Sequence, residues 1–271
     1  MEILIAFLAM LGIALIAGLL LLVCSHFFKV EENPLKKEIR ACLPGINCGA
    51  CGYKGCDDYA SAVAEKQAGP SLCVPGAQSV ADQIAEILNI QPEPFKDVVA
   101  FVHCNGVCNA TSKIAKYDGV SSCSASNMFY SGTTACPSAC LGFGDCANAC
   151  PADAICLKDG VARIDTSRCL GCGLCVNTCP KRIISMVAQE TKTVVMCSNT
   201  QKGADARKAC SNACIGCKKC EKACPNGAIT VQNNLAIIDY DKCTNCGICV
   251  KECPTGCLKS VNFPNITKTD F

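Results

Sequence analysis

The most constraining feature of this chain is a cysteine pattern that occurs twice, with an offset of 74 residues, as between Cys123 and Cys197. Residues between the cysteines follow the same offset, so that Pro151 corresponds to Pro225. Self-similarity at a fixed period indicates one structural unit built twice. The repeated positions are Cys123, Cys136, Cys140, Cys146, Cys150, Cys169, Cys172, Cys175 and Cys179, and then Cys197, Cys210, Cys214, Cys220, Cys224, Cys243, Cys246, Cys249 and Cys253.

The spacing within each copy indicates iron–sulfur clusters. Runs of the form C-x-x-C-x-x-C-x-x-x-C-P are typical of bacterial ferredoxins, in which the fourth cysteine of one run binds the other cluster of a pair. Disulfides are the usual explanation for a chain with 29 cysteines in 271 residues. Such runs, however, place several thiolates within one turn of chain, which suits a cubane better than disulfide bridges. We therefore predict [4Fe–4S] clusters in a reducing compartment.

Residues 1–28 are predicted to form one transmembrane helix. The run from Ile3 to Cys24 is apolar throughout, and about 20 apolar residues are needed to span a bilayer. A cleaved signal peptide is the competing interpretation, but no basic region precedes the run and no A-x-A site follows it. Lys29 and Lys36 follow the run, so the positive-inside rule places the C-terminal domain in the cytoplasm. The predicted location is the plasma membrane, with a single pass.

A small cluster domain follows the predicted helix. Residues 29–41 form a charged connector, and residues 42–90 are predicted to be a helical domain, with helices at 57–67 and 79–88. Its C-x2-C-x4-C run favours a cubane over zinc, because zinc sites usually come as paired C-x2-C knuckles. The predicted ligands are Cys48, Cys51, Cys56 and Cys73.

The rest of the chain is divided into a linker and the two repeated units. Residues 91–122 are predicted to be a linker and a cysteine-containing segment with a strand at 98–102, residues 123–190 to be unit 1, and residues 191–271 to be unit 2. Each unit has a hairpin between its cysteine runs, which turns at Asp159-Gly160 and at Asn233-Asn234. The predicted fold class is α+β: a transmembrane helix, a small helical four-iron domain and two tandem bacterial-ferredoxin-like dicluster units.

Three complete ligand sets are predicted in the two units. They are Cys214, Cys217, Cys220 and Cys253; Cys243, Cys246, Cys249 and Cys224; and Cys169, Cys172, Cys175 and Cys150.

The remaining cluster of unit 1 has an irregular sequence. Phe143 stands where the second unit has Cys217, so only Cys140, Cys146 and Cys179 are in register. We predict that Cys136, the nearest spare cysteine, is the fourth ligand; a three-iron cluster is the alternative. The chain then holds at least five [4Fe–4S] clusters.

Further cysteines leave room for a sixth cluster. Cys104, Cys108 and Cys123, together with Cys136, are candidates for it. The alternative, which we weigh equally, is that some of the extra cysteines are packed thiols, because free cysteine is among the most buried residue types. The other unassigned cysteines are Cys156, Cys197 and Cys210, while Cys24, Cys42 and Cys257 are expected to be structural or incidental, and His26 and His103 to be ordinary polar residues.

The absence of other motifs favours electron transfer. The sequence has no G-x-G-x-x-G after a strand, no Walker A motif and no convincing nucleophile–base pair. A formal net charge of +2 gives no reason to expect nucleic acid as a partner. A chain without a bond-making site of its own is expected to move single electrons between clusters.

The segment LPGINCGACGYKGC, residues 43–56, closely resembles the four-iron domain of the B subunit of Rnf complexes. The apolar N-terminal run and the two C-terminal units are similar to that subunit too. Residues 103–106 and 135–150 resemble the longer form found in anaerobic bacteria. The resemblance implies a component of a membrane-bound ferredoxin:NAD+ oxidoreductase, a translocase that couples electron transfer to Na+ or H+ transport. It also implies that the chain accepts electrons from reduced ferredoxin, while other Rnf subunits supply the flavins, the nicotinamide site and the ion path.

Two other functions compete with this one. A membrane-anchored polyferredoxin serving a hydrogenase or another reductase would need only the repeats, and the four-iron domain weighs against it. A cluster- or zinc-loaded sensor would carry an effector domain, and none is visible. Within unit 2, a basic stretch is the candidate docking surface for an acidic ferredoxin, with a solvated face as the equal alternative. That stretch contains Lys202, Arg207, Lys208, Lys218, Lys219 and Lys222.

Overall fold

The computed structural model describes residues 2–27, 33–91 and 97–263. Helix α1 spans Glu2–Phe27 and is apolar along its length. Across the described residues, no helix is long and apolar enough to cross a membrane. The side chains at both ends of α1, including His26, lie outside the described set, so its membrane role stays a prediction. Parts of the predicted connector and linker, residues 28–32 and 92–96, also lie outside the described residues.

Three short helices form the first cluster domain: α2 at Pro34–Cys42, α3 at Cys56–Ala64 and α4 at Ala77–Leu88. The two helices predicted here are therefore confirmed, with α3 ending earlier than expected. Their apolar faces bury Ile39, Tyr59 and Ile84 in a common core. Burial of such side chains stabilises the domain by about 1.5–3 kcal/mol each, which holds the cysteine loop between α2 and α3.

Unit 1 begins earlier in the chain than the sequence pattern indicated. Strand β1, Val98–Val102, pairs antiparallel with β4, Ile184–Ala188, at the other end of the unit. The strand was correctly predicted, but it lies in the segment assigned to the linker. Between these strands lie α5 at Cys123–Met128, α6 at Asp145–Asn148, β2 at Ile155–Lys158, β3 at Val161–Ile164 and α7 at Leu174–Thr178.

Unit 2 repeats this plan. Strand β5, Thr193–Val195, pairs antiparallel with β8, Leu258–Ser260, which closes the unit. Between them lie α8 at Gly203–Ala209, α9 at Lys219–Ala223, β6 at Ile229–Gln232, β7 at Leu235–Ile238 and α10 at Ile248–Lys251.

Both predicted hairpins are confirmed, β2–β3 in unit 1 and β6–β7 in unit 2. Their turns place Asp159, Gly160, Asn233 and Asn234 at positive φ. A two-residue turn with both central residues at positive φ matches the right-handed twist of the flanking strands.

The two units pack against each other through the outer strands. Phe101 of β1 and Val194 of β5 lie in one buried apolar cluster. His103 contributes polar contacts at the same interface: its Nδ1 lies 2.7 Å from the carbonyl oxygen of Val195, and its Nε2 lies 2.6 Å from Oγ of Ser185. His103 is therefore a partly buried residue that connects the two units, and burial lowers its pKa.

Candidate metal centres

The first domain gathers its four cysteines around the loop before α3. Gly49 and Gly52 lie at φ values of +72° and +86°, which favour glycine and let the chain turn tightly here. Oδ1 of Asn47 accepts the backbone N–H of Cys56 at 2.8 Å and fixes the end of the loop. Burial raises the pKa of Cys73, with further contributions from the thiolates of Cys56, Cys48 and Cys51. The four sulfur atoms are thus near enough to interact.

One predicted ligand set of unit 1 lines a single apolar cavity. That cavity is bordered by Cys150, Cys169, Cys172 and Cys175. The backbone N–H of Ala154 donates to Sγ of Cys150 at 3.4 Å, and that of Ala100 donates to Sγ of Cys169 at 3.4 Å. Hydrogen bonds from backbone amides to sulfur, inside an apolar shell, are the groups that orient and tune cluster ligands.

Unit 2 brings together its first predicted set in the same way. The residues Cys214, Cys217, Cys220 and Cys253 line one cavity. In the second set, the N–H of Ala228 donates to Sγ of Cys224 at 3.3 Å, which repeats the Ala154 contact of unit 1. Burial raises the pKa of Cys249, and the neighbouring thiolates of Cys243 and Cys246 raise it further.

The irregular cluster of unit 1 differs from the sequence prediction. Its cavity is lined by Cys140, Cys146 and Cys179, as expected, but the fourth cysteine there is Cys123. Cys136 lines a different cavity. The physical reason is the segment between β1 and Cys140: it contains α5, which begins at Cys123 and places that buried residue at the cavity wall.

Asp145 holds Cys123 in place. Its carboxylate accepts the backbone N–H of Cys123 at 2.9 Å and that of Ser124 at 3.0 Å, and also the hydroxyl of Ser122 at 2.9 Å. Partial burial works against ionisation, but these hydrogen bonds outweigh it and lower the pKa of Asp145. Phe143 packs instead on the ring of Tyr117, with ring centroids 5.6 Å apart. The sequence did not predict the position of Cys123, because no spacing rule links α5 to the later cysteine run.

The remaining cysteines fall into three classes. Cys108 is exposed and donates to the carbonyl oxygen of Asp159 at 3.1 Å, away from the cluster cavities. Cys257 is buried, and its single thiol proton lies within reach of the sulfur atoms of Cys197 and Cys214. Cys104, Cys197 and Cys210 line a cavity together with Cys136.

The cysteine groups are arranged to bind clusters and not single metal ions. Among the residues that the structure describes, no three His, Cys, Asp or Glu side chains converge closely enough to bind one metal ion. A cubane has one thiolate on each of its iron atoms, so its ligands stand apart around the cluster and do not converge on a point. The apolar linings and the amide-to-sulfur hydrogen bonds fit such a group.

Family models match along most of the cysteine-containing chain. An Fe-S cluster model matches residues 43–75, an LdpA Fe-S cluster-binding domain matches residues 136–190, and 4Fe-4S dicluster domains match residues 168–229 and 213–257. These matches establish ferredoxin-like dicluster domains and several [4Fe–4S] clusters.

Curated relatives match over a larger part of the chain. The chain is 46% identical, over 84% of its length and 81% of the relative's, to the B subunit of the proton-translocating ferredoxin:NAD(+) oxidoreductase complex of Clostridium ljungdahlii. It is 39% identical, over 84% of its length and 69% of the relative's, to the Na(+)-translocating counterpart of Acetobacterium woodii. It is also 39% identical, over 88% of its length and 90% of the relative's, to the B subunit of the ion-translocating oxidoreductase complex of Methanosarcina acetivorans.

Proposed function

Since the chain belongs to the family of B subunits of ion-translocating ferredoxin:NAD+ oxidoreductase complexes, we propose that it accepts electrons from reduced ferredoxin and passes them on by hopping between clusters. The observation that carries this proposal is the contiguity of the cysteine groups. The pKa of Cys172 is raised first by burial and also by the thiolate of Cys48, in the first domain. Val74, next to Cys73, and Cys169 of unit 1 line one cavity, so the first domain and unit 1 are in contact. Clusters held in contacting domains can pass single electrons without a bond-making site.

The residues proposed to hold the clusters are those brought together around the cavities. In unit 1, Cys123 replaces Cys136 in the set with Cys140, Cys146 and Cys179. The other sets are those described above for the first domain and for the two units. When bound, the clusters supply one-electron redox chemistry, and the chain sets their potentials through burial and amide hydrogen bonds.

The proposed docking surface for ferredoxin lies on unit 2. Cys217 is exposed, so the cluster bound there would come close to solvent. The exposed residues Lys218, Lys219 and Lys222 follow it closely in the chain, and ferredoxins are commonly acidic. Opposite charges steer encounter and raise the association rate, mostly at low ionic strength.

The helix α1 is proposed to anchor the chain in the membrane, with the cluster domains in the cytoplasm. The support for this proposal is the apolar run from Ile3 to Cys24 in the full sequence, because about 20 apolar residues are needed to span a bilayer. Large apolar side chains such as Met10, Ile13 and Leu22 are well exposed, as they would be if they faced lipid. The ion path, flavins and nicotinamide site belong to partner subunits in this proposal.

Stopped-flow reduction tests the proposed function. The full chain, purified anaerobically in detergent, is mixed with reduced ferredoxin, and bleaching of the cluster absorbance is followed. We expect fast reduction that slows as salt rises. A chain loaded with clusters that ferredoxin fails to reduce would contradict the proposal.

A further inference from the structure

Four buried cysteines outside the ferredoxin runs surround one cavity between the units. Their exposed fractions are 6% for Cys104, 7% for Cys136, 9% for Cys197 and 6% for Cys210. The space at this cavity, which is partly open to solvent, is about 300 Å³, against 330–350 Å³ for the three partly open cavities lined by cluster-type cysteine sets. It is similar in size to those sites and, like each of them, is lined by at least four cysteines.

The two units supply this cavity symmetrically. Cys104 comes two residues after β1, and Cys197 comes two residues after β5. Cys136 and Cys210 each precede by four residues the first cysteine of a run, Cys140 or Cys214. Each unit therefore contributes one strand-end cysteine and one cysteine from the loop before its run.

The sulfur atoms of this cavity accept the same type of hydrogen bond as those of the other sites. Sγ of Cys104 accepts the backbone N–H of Gly106 at 3.4 Å, and Sγ of Cys197 accepts that of Asn199 at 3.4 Å. The side-chain amide of Asn199 also reaches across the unit boundary to Sγ of Cys136 at 3.5 Å. Such donors stabilise anionic sulfur, the form that binds iron, more than they stabilise a neutral packed thiol.

The segments that carry these cysteines are fixed to each other across the interface. Oγ of Thr111, in unit 1, donates to the carbonyl oxygen of Ala209 at 2.8 Å, and the side-chain amide of Asn212 donates to the carbonyl oxygen of Asn105 at 2.9 Å. Arg163 is buried, and its guanidinium donates to the carbonyl oxygen of Cys104 at 3.4 Å. A buried cation at this point offsets negative charge in the cavity.

We propose that Cys104, Cys136, Cys197 and Cys210 bind a sixth [4Fe–4S] cluster at the interface of the two units. This inference rests on the electron-transfer function proposed above. It adds a cluster that connects those of unit 1 with those of unit 2. Electrostatics supports the grouping: burial raises the pKa of Cys136 to about 11, and the thiolates of Cys197, Cys104 and Cys210 contribute.

The site lies next to proposed cluster ligands of both units, so it can pass electrons between them. The backbone N–H of Cys140, a ligand residue of unit 1, donates to Sγ of Cys104 at 3.4 Å. The backbone N–H of Cys214, a ligand residue of unit 2, donates to Sγ of Cys197 at 3.3 Å. The sixth cluster thus lies between the nearest clusters of the two units and completes one path from the first domain to unit 2.

Cluster counting in single and double variants tests the site. The variants are Cys136→Ala, Cys210→Ala and the pair, with exposed Cys108→Ala as the matched control. Iron and sulfide are measured in anaerobically purified full chain, and the EPR signals of the reduced protein are compared. We expect each single variant to lose up to about four irons, and the double variant to lose no more than either single, because both residues hold one cluster.

Three results would overturn the site. Cys210→Ala at wild-type iron content would show that Cys210 is a packed thiol. A double variant that loses about eight irons would put Cys136 and Cys210 on different clusters. Full iron in Cys123→Ala together with loss in Cys136→Ala would return Cys136 to the irregular cluster of unit 1.

Serine variants and EPR signals separate loss of a cluster from loss of folding. Should an alanine variant not fold, Cys136→Ser and Cys210→Ser are counted in its place, and retained EPR signals of the other clusters report that the units are folded. Failure of this inference is distinguishable from failure of the electron-transfer function: five clusters reducible by ferredoxin would remove the sixth site only, whereas clusters that ferredoxin does not reduce would remove the proposed function.

Discussion

The backbone N–H of Cys214 points at Sγ of Cys197, 3.3 Å away, and the single thiol proton of Cys257 lies within reach of both of these sulfur atoms. The hydrogen bond from Cys257 is the largest cause that lowers the pKa of Cys197 to about 7 and that of Cys214 to about 6. Cys257, expected from the sequence to be structural or incidental, therefore lies between two proposed cluster sites.

Replacement of Cys257 by Ala should make the clusters next to it harder to reduce. A hydrogen bond to sulfur favours the more negative, reduced state, so its loss lowers the midpoint potential. One bond with a net contribution of about 1 kcal/mol corresponds to about 40 mV for a one-electron couple. EPR-monitored redox titration checks the shift. Cys257→Ser, which keeps a donor, should shift less, and half-buried Cys156→Ala should not shift; equal potentials in all three variants would contradict the role.

Loss of the Asp145 carboxylate should loosen the irregular cluster of unit 1. In Asp145→Ala the backbone N–H groups of Cys123 and Ser124 lose their acceptor, and loss of such a cap costs about 1 kcal/mol. We expect the cluster to lose iron to a chelator several-fold faster, with a three-iron EPR signal in the oxidised protein. Exposed Asp153→Ala is the matched control. Unchanged iron loss would mean that Cys123 is held by other contacts or is not a ligand.

Reversal of the charge next to Cys217 should slow reduction by ferredoxin. The triple change of Lys218, Lys219 and Lys222 to Glu replaces attraction by repulsion, and we expect the second-order rate to fall by at least about tenfold at low salt and less at high salt. Stopped-flow absorbance measures the rate, and iron content should stay at the wild-type value.

A control with the same charge change separates docking from net charge. Lys54, Lys66 and Lys116 are also exposed, and their replacement by Glu should leave the rate close to wild type. Equal slowing by both triple variants would show a general charge effect and remove unit 2 as the docking surface.

Removal of residues 1–28 should release the protein from the membrane. We expect a soluble, brown chain with its full iron content, because the described contacts of the cluster domains do not use α1. Membrane fractionation and iron analysis check this. A reporter fused to the C-terminus should be active in the cytoplasm, and activity on the outer side would contradict the proposed orientation.

The local structure could be read from the sequence wherever short-range chemistry decides it. Asp159-Gly160 and Asn233-Asn234 predicted the two hairpins because these residues accept positive φ at low cost. The run spacing predicted which thiols of unit 2 lie together, because three ligands of each set fall within one turn of chain.

Contacts between distant segments could not be read in this way. The offset aligned Cys123 with Cys197, but in space Cys197 corresponds to Cys104, since both follow the first strand of a unit. The segment after Cys104 is longer than its counterpart after Cys197, and it carries the helix α5 that delivers Cys123 to another site. Only the pairing of β1 with β4 reveals where unit 1 begins.

Mössbauer spectroscopy of the ⁵⁷Fe-labelled full chain, before and after addition of reduced ferredoxin, tests whether the cysteine groups hold clusters that ferredoxin reduces. We expect about twenty-four irons per chain, all in [4Fe–4S] clusters, with clusters in both units reduced by ferredoxin. Stoichiometric zinc with little iron, or clusters that stay oxidised in the presence of excess reduced ferredoxin, would contradict this expectation.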